Sequence, residues 1–145
     1  MILPDLNILL YAYNAFSPQH QLAKEWWQRV LNEDELIGLP HEILFGFVRI
    51  ATNHRLGSTA VPLIKAKAIA ESWLELPQAR LLTPNANHFP RVMNLMTDAM
   101  ATGALLSDAI LASYAIENRA CLYTNDSDFA RFSSLIWKNP LQLPN

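Results

Sequence analysis

Five carboxylates stand where a protein of alternating strands and helices would place its chemistry. Asp5 directly follows the apolar run Ile2-Leu3 and precedes a helical pattern, with Leu6, Leu9, Leu10 and Tyr13 at three- and four-residue spacing. Glu42 opens the helix that follows a second apolar run. Asp108 lies one residue into a helix beginning at Ser107, and Asp126 and Asp128 follow a later apolar run in the segment TNDSDF. Taken singly, each is accounted for as a helix cap or as a first-turn acid answering the helix dipole. Taken together they say more. Parallel strands all end on one edge of a sheet, so acids distant in sequence can meet there. Clustered carboxylates repel one another and are not gathered for stability alone. A divalent cation removes the repulsion, and hard oxygen donors without a Cys/His set favour Mg²⁺ or Mn²⁺ and exclude a structural zinc site.

The elements that must position these acids follow from periodicity and punctuation. Ser17-Pro18 is a helix-start signal, and the helix is expected to run to about Asn32 on Leu22, Trp26, Trp27, Val30 and Leu31. Adjacent residues diverge by about 100° on a helix. One of Trp26 and Trp27 is therefore expected either on a second surface, facing a partner, or at the margin of a wide core stripe. Glu35–Leu39 is expected to be a second strand closed by Pro40. A helix His41–Thr52 follows, buried through Leu44, Phe45, Val48 and Ala51/Thr52, and then a turn from Asn53 to Thr59 around Gly57. Val61–Leu76 is expected to be a long helix, Ala79–Leu82 a third strand and Phe89–Met100 a helix ended by Gly103. Ser107–Asn118 is expected to be a helix capped by Ser107, Ala120–Thr124 a fourth strand and Leu135–Trp137 a fifth. The alternation implies an α/β sandwich on a mainly parallel sheet of four to five strands. Without an internal repeat or linker, residues 1–145 are expected to form one domain.

Composition narrows the class. Hydrophobic residues make up 51% and charged residues 17%, which suits a folded core and excludes a disordered tail. The net charge of −2 gives no global attraction for nucleic acid, so an RNA partner would have to be held by a local patch or by metal ions. The single cysteine, Cys121, lies in an apolar run and is expected to be buried and inert; lacking a pairing partner, it fits a reducing compartment. No window approaches about 18 apolar residues, and Asp5 interrupts the first apolar run, so the chain is expected to be cytoplasmic and free of the membrane. None of His20, His41, His54 and His88 stands in metal-ligand spacing, although His41 beside Glu42 is a candidate substrate contact. No G-x-S-x-G surrounds any serine, and the 4 glycines form neither a P-loop nor a G-x-G-x-x-G. Phe45, Phe47, Trp73 and Phe132 fit core spacing better than base-stacking platforms.

Four segments resemble those of the PIN-domain family, in particular its VapC-type ribonuclease toxins. They are Asp5-Leu6-Asn7-Ile8-Leu9-Leu10-Tyr11, Glu42 with Gly46 four residues on, Ser107-Asp108-Ala109 followed by Ala112 and Ala115, and Thr124-Asn125-Asp126-Ser127-Asp128-Phe129. The run from Phe47 to Arg55 also resembles one mycobacterial-type branch, except that His54 stands where a proline is usual. The resemblance implies a three-layer α/β/α sandwich and Mg²⁺- or Mn²⁺-dependent endonucleolytic hydrolysis of RNA, leaving a 5′-phosphate and a 3′-hydroxyl. It makes Asp5, Asp108 and Asp126 the principal metal-binding acids, with Glu42 completing the catalytic set by holding a metal-bound water or a second ion. Asn7 would orient Asp5, Thr124 would support the site or meet a phosphate, and Asp128 would be a peripheral acid. Arg49 and Arg55 could meet RNA phosphates at the rim. The resemblance also implies a homodimer restrained by a VapB-type antitoxin, with the Trp26/Trp27 helix and the apolar side of Val61–Leu76 as contact surfaces.

Two other functions compete with this one. A haloacid-dehalogenase-like phosphatase also begins with an acid after its first strand. It needs a second Asp where this chain has Asn7, and a late Lys where none lies between Lys67 and Lys138. A catalytically silent PIN-like binding module would have no need of all four core acids.

Overall fold

The computed structural model describes residues 1–142, so the last three residues of the expected 1–145 unit lie outside it. Its centre is a five-stranded sheet of order β3-β2-β1-β4-β5, parallel throughout. The strands are β1 (Ile2–Pro4), β2 (Ile37–Pro40), β3 (Ala79–Leu82), β4 (Cys121–Tyr123) and β5 (Trp137–Lys138). The helices are α1 (Leu6–Tyr13), α2 (His20–Asn32), α3 (His41–Ala51), α4 (Leu63–Leu74), α5 (His88–Asp98) and α6 (Leu106–Glu117). β1, β2 and β3 step outward in one direction, and the chain then crosses back to β4 on the far side of β1. Parallel crossovers are right-handed, so reversing the direction of travel puts the intervening helices on the opposite face. α1 packs on α2 and α3, and α3 on α4, while α5 and α6 pair with each other. The result is the α/β/α layering expected from the sequence.

Most element boundaries agree with periodicity, and the departures have local causes. α2 begins at His20 and not at Ser17, because the Ser17 hydroxyl accepts from the Gln19 amide and turns the chain before the helix starts. α5 ends at Asp98, where Met100 adopts φ 48°, so the stop precedes Gly103. A short 3₁₀ turn, Gly103–Leu105, leads into α6, which starts at Leu106 with Leu105 in the cap position, so Ser107 is not the N-cap. The expected turn at Asn53–Thr59 is a 3₁₀ segment over His54–Thr59, broken at Gly57, whose φ of 58° is a conformation that L side chains rarely adopt.

Burial decides between the two readings of the tryptophans and corrects two other expectations. Trp26 and Trp27 are both in the core, so neither is available to a partner. Trp26 lies against Tyr123 of β4 at 5.1 Å, and Trp27 meets Trp73 of α4 edge-on at 5.6 Å. The stripe on α2 is wide enough for both because the helix is wedged between the sheet and its neighbours. Leu44 and Ala51 are buried as expected, but Phe45 is exposed and Ile43 and Phe47 join them on the covered face, because α3 turns that side toward α1 and α4. Cys121 is only half-buried, though burial still raises its thiol pKa and so disfavours the reactive thiolate. On α4, Leu63 and Ile64 are exposed.

An aromatic cluster joins α1 to α4. The Trp73 ring lies 4.8 Å from Phe47 and 5.8 Å from Tyr13, and its indole N–H donates to the Tyr13 hydroxyl at 3.0 Å. The Trp27 indole nitrogen is buried without a hydrogen-bond partner among the described residues. A Phe replacement removes that unsatisfied donor at position 27 but breaks a made bond at position 73. Trp73→Phe should therefore lower the unfolding free energy by about 1 kcal/mol more than Trp27→Phe, as read from urea denaturation midpoints at equal m-value.

Candidate active site

The sequence of strands creates the place for the site. β1 is paired with β2 on one side and β4 on the other, and the chain's direction of winding reverses there. Such a switch point opens a crevice beyond the carboxyl ends of the strands. Asp5 is the residue that leaves β1 at this point. Its amide donates to the Tyr123 carbonyl at 2.9 Å, which carries the β1–β4 ladder one rung past the strands. One rung further, the Thr124 hydroxyl donates to Asp5 Oδ2 at 2.7 Å. The same hydroxyl accepts from the Asp126 amide at 3.0 Å, so its proton is directed to Asp5. Asp126 Oδ1 in turn accepts from the Asp128 amide at 2.9 Å, which caps the 3₁₀ turn Ser127–Arg131 and leaves the second oxygen of Asp126 uncommitted.

Asp5 occupies the N-cap position of α1, where its carboxylate makes no geometrically ideal cap bond, although the Leu6 and Asn7 backbone N–H groups still act to lower its pKa. It is buried, and that burial is the main force raising its carboxyl pKa; the Thr124 hydrogen bond opposes the shift and the charge of Asp126 adds to it. Asp108 enters from the first turn of α6. Burial, followed by the charges of Asp126, Asp5 and Asp128, pushes its carboxyl up to about 6. The four acids are thus brought close enough to oppose one another's ionisation. Glu42 arrives from the first turn of α3, at the end of β2, and its Oε1 accepts from the Tyr114 hydroxyl at 3.2 Å. Burial first, and then the Glu42 charge, hold the Tyr114 phenol up to about 12, so it remains a donor to Glu42.

A groove of about 680 Å³ runs between α1, α3 and α6, lined by Asp5, Asn7, Glu42, Arg49 and Asp108 together with His41 and Phe45. Asp126, Asp128 and Thr124 flank it without lining it. Gly46 lets α3 approach α1 here, since a Cβ at that position would meet Leu6 Cδ2 at 2.8 Å. Arg55 lies on the 3₁₀ segment after α3, apart from the groove, so the structure does not bring it to the acids. Asn7 is exposed on the groove wall, its backbone N–H helps to lower the Asp5 carboxyl pKa, and the Thr124 hydroxyl donates to Asp5 Oδ2. Tyr114 has no local signature in the sequence. It meets Glu42 only because two helices distant in the chain pack on opposite sides of the switch point.

The fit to a divalent cation rests on donor chemistry. Among the described residues no three His, Cys, Asp or Glu side chains already stand so as to hold an ion, and none of the five acids is in an ion pair. Mg²⁺ keeps several waters and takes only one or two protein carboxylates, so it does not require a preformed cage. A half-buried carboxylate set that lacks a basic counter-ion suits such a cation. Because the folded chain holds the Asp108 proton more tightly than the unfolded chain, ionised Asp108 opposes folding above about pH 6, and the opposition fades as pH falls toward 4. Solvent screening at a half-buried site reduces its size. In EDTA at pH 7.5, Asp108→Asn should raise the melting temperature by about 2–4 °C, with the gain gone near pH 4, as followed by scanning calorimetry.

Comparison with known proteins places this arrangement. The PIN domain family matches residues 2–135. Ribonuclease VapC33 of Mycobacterium tuberculosis is 41% identical over 142 residues, 98% of this chain and 99% of that protein. VapC ribonuclease Mb2897 of Mycobacterium bovis is 36% identical, over 97% of this chain and 96% of its own length. Among solved structures, VapBC2 of Rickettsia felis, bound to a DNA fragment from its promoter, superposes with a TM-score of 0.69 at 20% identity. The match covers 96% of this chain and 98% of that one. Mycobacterium tuberculosis VapC20, described as a sarcin-ricin-loop-cleaving toxin, superposes at 0.67 with 19% identity, covering 90% and 93%. The structural matches speak to the fold, and the close sequence relatives to the branch: this chain belongs to the PIN-domain family, among the VapC ribonucleases.

Proposed function

We propose that the protein is a Mg²⁺- or Mn²⁺-dependent endoribonuclease, the toxin of a VapBC-type module, acting in the cytoplasm as a homodimer until a VapB-type antitoxin restrains it. The observation that carries this reading is the convergence of Asp5, Asp108 and Asp126 beside Glu42 at the switch point, without a basic partner among the described residues. Full-length identity to ribonucleases supports it. The absence of any helix long and apolar enough to cross a membrane among the described residues agrees with it. The Rickettsia VapBC2 structure, with toxin and antitoxin together, supports the partner.

When bound, the cation supplies positive charge for the phosphate and lowers the pKa of water. Asp5, Asp108 and Asp126 would hold it. Thr124 keeps Asp5 turned into the site, and the Asx turn at Asp126 keeps that carboxylate beside it. Glu42, with Oε1 engaged by Tyr114, presents Oε2 to take the proton of the attacking water. Water oxygen bonds to phosphorus, the P–O bond to the leaving ribose oxygen breaks, and that oxygen takes up a proton. Arg49, on the groove wall, meets a phosphate flanking the scissile one.

Two measurements test this. Purified antitoxin-free protein should make discrete cuts in total cellular RNA with Mg²⁺ or Mn²⁺. EDTA should abolish them, and Asp5→Asn or Asp108→Asn should reduce them by at least about 100-fold. Mg²⁺ at about 100 times its Kd should stabilise the wild type by about 2.7 kcal/mol, and this gain should be absent from Asp108→Ala. Cleavage that survives EDTA would point to a contaminant. A folded protein that neither cuts RNA nor responds to metal would be a binding module. Tyr114→Phe, which frees Glu42 without touching the cation, should lower kcat by about 10-fold and leave the metal-induced thermal shift intact.

A further inference from the structure

Phe45 has no part in the chemistry described so far. It is 69% exposed, although Leu44 and Phe47 on either side of it in α3 are buried, so the exposure reflects the orientation of a packed helix. His41 stands four residues before it and Arg49 four after, a spacing that aligns the three along one helix face. All three line the groove with Asp5, Glu42 and Asp108. The His41 ring lies against Phe45 with centroids 5.8 Å apart and planes inclined by 24°, which holds the phenyl ring in a fixed plane beside the acids.

We infer that the His41–Phe45 pair is a stacking subsite for an unpaired nucleobase of the RNA strand being cut. This rests on the ribonuclease reading above. A net charge of −2 and a carboxylate floor offer RNA little electrostatic attraction beyond the bound cation and Arg49, so a contact other than charge is needed to add affinity. An aromatic face supplies it, because every base has a π-face and stacks with little regard to sequence. A base in a duplex is stacked on its neighbours, so the subsite selects a loop, a single strand or an extruded nucleotide. Phe45 is three residues, close to one helical turn, beyond Glu42, which places the held base on a nucleotide flanking the scissile bond. An apolar anchor from a protein would be the other occupant of such a face. It would strip water from His41, Glu42, Arg49 and Asp108 without replacing the lost hydrogen bonds, whereas a base carries edge groups that can make them.

The experiment starts from the principal cut mapped in total RNA. Oligoribonucleotides spanning that cut carry 2-aminopurine at one flanking nucleotide or the other, and fluorescence is read with the full-length protein in the Asp5→Asn background. Quenching is expected at one flanking position. In that background Phe45→Leu and Phe45→Ala should lose the quenching and weaken binding by about 5–100-fold, while Phe45→Trp should keep both. In otherwise wild-type protein, Phe45→Leu should raise KM by a comparable factor. Phe45→Leu binding and quenching like wild type would overturn the subsite while leaving the nuclease standing, as would tight binding without quenching at either flanking position, which would show the strand held without a base on Phe45. If the wild type neither cuts nor binds RNA, the ribonuclease reading and the subsite fall together.

Discussion

The pairing of β1 with β4 is the contact on which the rest of the molecule depends. These strands are far apart in the chain, and their ladder continues past both of them through the Asp5 amide and ends in the 2.7 Å bond from Thr124 to Asp5. A parallel pair needs a long crossover between its members. Everything from α1 to α6 serves as that crossover, wound out through β2 and β3 and back. The reversal that closes the pair also opens the crevice, so fold and site arise from one topological event.

That arrangement works against itself electrostatically. Burial and mutual charge raise the pKa of Asp5 and Asp108, so the folded state at neutral pH carries a repulsion that the unfolded chain lacks. Hydrophobic packing elsewhere offsets it: Trp27, Trp73 and Phe47 are almost fully buried, and their cluster ties three helices together away from the acids, with Tyr13 of α1 at its edge. The positioning bonds are made by neutral groups, Thr124 and Tyr114, so the carboxylates keep their charge available. A cation would turn the repulsion into binding energy.

The groove combines two surfaces that a stable core would not leave together, a carboxylate floor and an exposed aromatic ring on α3. Local strain does not explain the exposure of Phe45, since α3 is regular and well packed on its other side. Once a cation offsets the carboxylates, the pairing suits a phosphate-bearing strand that also has flat apolar faces, and that description fits RNA.

Alternating apolar runs and breakers determined the order of strands and helices, because local periodicity and capping act within a few residues. The acids were legible for the same reason: Asp5, Glu42, Asp108 and Asp126 each sit at an element junction that pattern alone marks. Their convergence could be argued from parallel strand ends but became definite only with the 3-2-1-4-5 order. Tertiary structure alone decided that Trp26 and Trp27 both face inward, that Phe45 faces outward and that Tyr114 holds Glu42. It also left Arg55 outside the groove that Arg49 lines. Helical spacing says which residues share a face; only the packing of one helix on another decides which face is covered.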